Sequence, residues 1–191
     1  MSRPSTLANR TCGGCTFCCK VMEIEELAKP GGQWCRHADR STGCAIYGSH
    51  PPTCQSFACQ WLVSPSLAEE LRPDRCKIVL VGELEKGRLT AHCDPAAPVA
   101  WRREPVFSLL KEQARTRWDT PLWVIAKAGR RVWFISPIAE YDLGEVDPRS
   151  PLQVEKLPDG SMRIEVLPPV PLDQDLGQQL ERLNLSGAAG D

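Results

Sequence analysis

The sequence predicts an α+β fold, with a small, loop-rich, cysteine-dense module packed on a mixed β-sheet domain that has one main helix. Three observations carry this reading. Eight of the ten cysteines precede residue 60, in a stretch with no apolar period able to build a core alone. After residue 63, strand-length apolar runs come in pairs around turn residues. One long amphipathic stretch, 104–118, stands among them. The expected division is 1–62 for the cysteine module, 63–170 for the α+β domain, and 171–191 for a short helix and loose tail.

Residues 1–11 read as a polar arm. Cys12-Gly13-Gly14-Cys15-Thr16-Phe17-Cys18-Cys19 follows, with glycines that let the backbone turn tightly between sulfurs. The stretch 23–29 predicts a short helix ended by Pro30 and Gly31, with acidic residues early and Lys29 last, as the helix dipole favours. Gly43-Cys44-Ala45-Ile46-Tyr47 predicts a turn feeding a short buried strand. Pro51 and Pro52 stiffen the approach to Cys54. Beyond residue 63 the expectations are a helical turn at 67–71, strands at 76–81 and 88–92 around Lys86-Gly87, and the helix 104–118. Its apolar stripe is Val106, Phe107, Leu110, Ala114 and Trp118. Strands at 122–126 and 132–135 meet around Gly129. A hairpin of 153–157 and 162–167 turns at Pro158-Asp159-Gly160-Ser161. A last helix is expected at 173–185.

Composition excludes several classes. At 42% hydrophobic and 25% charged, the chain has the balance of a soluble globular protein. A formal charge of −1 with no dense basic run argues against nucleic-acid binding. The longest apolar runs are strand-length, too short to cross a membrane. No secretory signal is seen at the start, so the expected compartment is the reducing cytoplasm, where thiolates persist and structural disulfides are rare.

In that setting the cysteine spacing predicts metal before disulfide. The candidate ligands are Cys12, Cys15, Cys18, Cys19, Cys35, Cys44, Cys54 and Cys59, enough for two closed four-thiolate sites. Two-residue gaps bring successive sulfurs to one side of a turn. Cys18 and Cys19 are adjacent and diverge, so they either belong to different sites or one is a spare. Zinc takes four thiolates in a closed tetrahedron. The run Cys12-x-x-Cys15-x-x-Cys18 plus a distant cysteine is equally the pattern of a four-iron iron–sulfur cluster. The triplet favours the cluster, the scattered later cysteines suit zinc, and both stay open. His37, two residues after Cys35, is a further candidate ligand, a donor to a thiolate, or simply a surface histidine. Arg10, Lys20, Arg36 and Arg40 are candidates to offset thiolate charge; Trp34, Phe57 and Trp61 read equally as a dry shell around the metal or as ordinary core aromatics. Cys76 and Cys93 read as small buried residues.

The pattern Cys12-x-x-Cys15-x-x-Cys18-Cys19, Cys35, Cys44-x-Ile46-Tyr47, Pro51-x-x-Cys54, Phe57 and Cys59 resembles the bacterial CxxCxxCC cysteine-cluster family, also called YkgJ-type. All eight of that family's usual cysteine positions are filled over 12–61. His50 departs from the pattern, standing where arginine usually precedes the proline. The segment 72–76 also looks like relatives that continue Arg-Pro-Asp-Arg-Cys. The resemblance implies a zinc- or iron-chelating protein rather than a particular reaction. One branch, the flagellin lysine methylases, implies an iron–sulfur redox or S-adenosylmethionine-dependent enzyme that modifies a protein partner. Those proteins are substantially longer than this chain. A metal chaperone or sensor is the third class. Residues 63–191 carry no phosphate loop or nucleophile elbow, and three histidines leave little for acid–base work.

Overall fold

The computed structural model describes residues 10–83, 87–116 and 123–171. These fall into two compact units divided between Gly144 and Glu145. The first holds a five-stranded mixed sheet and one main helix, the α+β architecture the sequence predicts.

The sheet runs β3 (Ile78–Glu83), β4 (Arg88–Cys93), β5 (Trp123–Ala128), β6 (Arg131–Ile135), β7 (Glu140–Glu145) in spatial order. It is preceded by two short paired strands, β1 (Ala38–Asp39) and β2 (Gly43–Cys44). β3 and β4 form an antiparallel hairpin, and so do β5 and β6. β4 and β5 are parallel, and the crossover between them carries α5 (Val106–Thr116). A parallel neighbour needs such a connection, whereas a tight turn suffices for an antiparallel one.

β3 reads as a continuous apolar run because both of its faces are covered. Ile78 and Leu80 join the main core with Leu89, Ala91, Val124, Ala126, Trp133 and Ile135. Val79 points the other way, to Phe17 and Val21. α5 lays Val106, Leu110 and Ala114 on the main core. Trp101 is fully buried there, its ring 5.8 Å from that of Trp133 and 6.3 Å from that of Phe107.

The cysteine segment is built from small pieces: α1 (Cys18–Val21), α2 (Pro52–Ser56), α3 (Gln60–Val63) and α4 (Pro73–Cys76), with β1 and β2. The break expected at residue 62 is not a break in packing. Phe17 and Val21 lie against Val79, and Trp61 belongs to the main core, so segment and sheet share one unit. The second unit contains the expected hairpin, β8 (Leu152–Lys156) paired with β9 (Met162–Val166).

Several local expectations change. The helix expected at 23–29 shrinks to a single tight turn, Glu25–Leu27. Pro30 disfavours helix at the residue before it, and Ile24 and Lys29 instead pair backbone to backbone, at 2.9 and 3.0 Å. The buried strand expected after Gly43 stops at Cys44, and Tyr47 is exposed. Cys76 ends a helical turn begun by Pro73, so the strand starts at Ile78. The helix expected at 173–185, Lys86, Trp118 and Leu122 lie outside the described residues.

Candidate metal centre

The first cysteine turn is closed by Cys15 N–H donating to the Cys12 carbonyl at 2.8 Å. One helical turn later, Phe17 and Val21 are spaced four apart, so both face β3 and anchor α1 there. Cys18 and Cys19 ride on that anchored turn. Cys35 N–H donates to the Cys19 carbonyl at 3.0 Å, which ties the next ligand candidate to α1. The β1–β2 pair brings Cys44 back, in register with Ala38. Its bend is fixed by Asp39, whose Oδ1 accepts from the amides of Ser41 and Thr42, both at 2.8 Å. Gly43 sits at φ +105°, and a Cβ there would lie 3.3 Å from the Gly13 carbonyl oxygen, so glycine lets this bend close on the cysteine turn. α2 carries Cys54. Thr53 donates its N–H and hydroxyl to Glu26 Oε1, at 3.1 and 2.6 Å, which fastens α2 to the 25–27 turn. Cys59 caps α3, accepting from Leu62 N–H at 3.0 Å.

The result is a convergence of sulfur on two adjoining cavities. The larger, about 140 Å³, is lined by Cys12, Cys15, Cys18, Cys19, Cys35, Cys44 and Cys54. The smaller, about 30 Å³, is lined by Cys12, Cys15, Cys18 and Cys59. None of the ten cysteines is in a disulfide. Among the described residues, no three His, Cys, Asp or Glu side chains are drawn into a tight group able to hold a metal ion as they stand. The sulfurs surround space rather than close on one point.

Their mutual electrostatics divide them. Cys12 and Cys15 act on Cys18 and on Cys59. Cys19, Cys35 and Cys44 act on Cys54. The adjacent pair stands at the seam: Cys18 donates a hydrogen bond to Cys19. That bond, with burial and the surrounding sulfurs, pushes Cys18 well above the ordinary thiol range. The same bond pulls Cys19 down to about 7, with help from Lys29 against the cost of burial. Burial raises Cys15 and Cys59, and it raises Cys54 to about 11 with its neighbouring sulfurs and Glu26 adding to it. Such thiols stay protonated until a cation displaces the proton. As donors, sets of four thiolates are the chemistry of zinc and of iron–sulfur clusters alike.

The other candidates separate cleanly. His37 and His50 line the larger cavity. His37 Nε2 accepts from Arg36 Nε at 3.2 Å and His50 Nδ1 accepts from the Gly48 amide at 3.0 Å, so each ring has a lone pair engaged by the protein. Phe57 lines both cavities and Trp61 the smaller one, but Trp34 is 40% exposed and is no part of a dry shell. Cys93 lies in the main core and burial pushes it up to about 12. Cys76 packs beside that core, donating to the carbonyls of Leu71 and Ile78 at 3.5 and 3.4 Å.

The four expected counter-cations are engaged elsewhere. Arg10 donates to the carbonyls of Trp61, Ser64, Pro65 and Leu67, at 2.6–3.2 Å. Lys20 pairs with Asp94, Arg36 reaches His37, and Arg40 lies over Trp34. Two cations outside that expectation act on the cysteines: Arg72 on Cys15, and Lys29, which the sequence presents only as a helix-ending charge, on Cys19, Cys35, Cys18 and Cys54.

No protein-family model, no curated protein and no solved structure matches this chain. Among the described residues, no helix is long and apolar enough to cross a membrane.

Proposed function

We propose that this is a metal-binding cysteine-cluster protein that chelates zinc or an iron–sulfur cluster through eight thiolates in two sets. One is Cys12, Cys15, Cys18 and Cys59; the other is Cys19, Cys35, Cys44 and Cys54. The supporting observation is the lining of the two cavities: the eight clustered cysteines border them, while Cys76 and Cys93 pack in or against the core. Adjacent Cys18 and Cys19 then serve different sets, as diverging neighbours should. The bound metal would supply the cross-links that a segment of four- and five-residue helices lacks, and its role here is structural first. The resemblance to the CxxCxxCC family, and a reducing cytoplasmic setting that keeps the thiols available, belong to the same reading.

The cavities bear on which metal. About 30 Å³ suits a single ion, and about 140 Å³ leaves room for a polynuclear cluster. Neither reaches the roughly 300 Å³ at which small-molecule sites usually begin, which favours chelation over the S-adenosylmethionine-dependent reading.

The test is anaerobic purification followed by elemental analysis and an absorption spectrum. The expected result is either two zinc ions per chain and no colour, or several irons with matching acid-labile sulfide and a brown protein. A folded protein with neither metal, after supply of both, overturns the proposal.

A further inference from the structure

The surroundings of the two thiol sets differ in charge. Lys29 is 7% exposed, and its Nζ donates to the carbonyls of Lys20, at 2.8 Å, and Met22. Both acceptors are neutral. Among the described residues no carboxylate lies within ion-pair reach of it. A buried ammonium with only neutral partners is strongly disfavoured unless an anion stands nearby. The carbonyls that hold it bracket the end of α1, and the groups whose charge it meets are the sulfurs of Cys19, Cys35, Cys18 and Cys54.

The other set has a cation too, but one already neutralised. Arg72 reaches Cys15, yet its guanidinium lies 3.0 Å from Asp74 and 3.6 Å from Glu69. At Cys15 the charge of Asp74 outweighs that of Arg72. Two further carboxylates touch the cysteine segment, and neither is paired with Lys29. Asp94 is taken up by Lys20. Glu26 acts on Cys54 from a fully exposed position, where water screens it.

We infer that Lys29 is the built-in counter-cation of the Cys19/Cys35/Cys44/Cys54 set, and that it makes this set the tighter metal holder of the two. The inference rests on the proposed function and deepens it. Four thiolates around a divalent ion leave net negative charge. A fixed, dry ammonium beside one set lowers the cost of that charge, while the neutralised Arg72 does so less for the other. Lys29 acts through the ligands and is a positioning residue.

The experiment is competition on the zinc-loaded full chain with rising EDTA, reading zinc retained per chain. Wild type should release metal in two steps. Cys59→Ser should abolish the early step and Cys44→Ser the late one. Lys29→Met should bring the late step forward by about 10- to 100-fold in EDTA, as loss of a group behind a metal ligand does. Lys29→Arg should restore it, which a purely space-filling role would not. A late step unmoved in Lys29→Met overturns the inference. So does loss of the late step in Cys59→Ser instead of Cys44→Ser, a result that needs no Lys29 variant to fold. A chain that takes up no zinc or iron at all removes the proposed function itself, a distinct failure from either of these.

Discussion

The sheet with α5 and the cysteine segment before it are held together by different means, though they share one packed unit. The sheet side buries Ile78, Leu110 and Val124 to 1% exposure or less from elements six to eleven residues long, and Trp101 from a three-residue turn beside them. The segment contributes Phe17, Val21, Ile24, Trp61 and Leu62, each still 4–8% exposed, and its helices are one turn each. Such turns do not persist without outside support. Polar ties supply part of it: Arg10 on four carbonyls, Thr53 on Glu26, Lys20 on Asp94. The difference teaches that burial alone accounts for one region and leaves the other short of cross-links, which is the place the proposed metal fills.

The sharpest way to break this contrast is to strip the metal. Chelation should open the segment to protease between residues 10 and 59 while the tryptophan signal of the sheet survives. Structural zinc contributes on the order of 10 kcal/mol to such segments. Equal protection with and without metal would put the two regions on the same footing. Next in size, Trp101→Ala should destabilise the sheet by about 3–5 kcal/mol in urea unfolding, with metal per folded chain unchanged.

A smaller effect tests the tie between the regions. Burial opposes ionisation of Asp94, but the hydrogen bonds from Lys20 and the Ala96 amide outweigh it and hold the carboxyl below its ordinary value. The ion pair therefore stabilises above the unfolded carboxyl's titration, near pH 4, and its contribution is lost as pH falls through the lower folded value. Asp94→Asn should cost about 2 kcal/mol at pH 7 and flatten the acid limb of a stability-versus-pH curve. The smallest test concerns reactivity rather than stability. In metal-free protein, alkylation of Cys19 should rise through pH about 7, while Cys54, raised to about 11, stays unreactive there. Mass spectrometry of the alkylated peptides reads both.

How much of this the sequence makes legible follows from the kind of signal each element carries. β3 to β6 announce themselves because branched and aromatic residues are packed on both faces, as in Ile78-Val79-Leu80-Val81 and Val132-Trp133-Phe134-Ile135. α5 is legible from its stripe of Val106, Leu110 and Ala114. β7 is silent: Glu140-Tyr141-Asp142-Leu143-Gly144-Glu145 is an edge strand with intermediate or exposed positions, so nothing in its apolar pattern demands a strand. The cysteines name themselves as a set, but their grouping around two cavities depends on folds of the chain between residues 19 and 59 that local spacing does not encode. Lys29 is the clearest loss. A lysine before a proline reads as a surface charge, and only the pairing of Ile24 with Lys29 turns it inward.

β3 lies at the border of the sheet, with β4 on one side and the turns of the segment against it. Its Ile78-Val79-Leu80-Val81 run is the kind of strand that recruits other chains when its border is bared. On the reading proposed here, emptying the sulfur cavities would do more than slacken a loop. It would uncover a sticky margin, so that clumping of the chain becomes the first visible sign of metal starvation, ahead of any loss of the sheet.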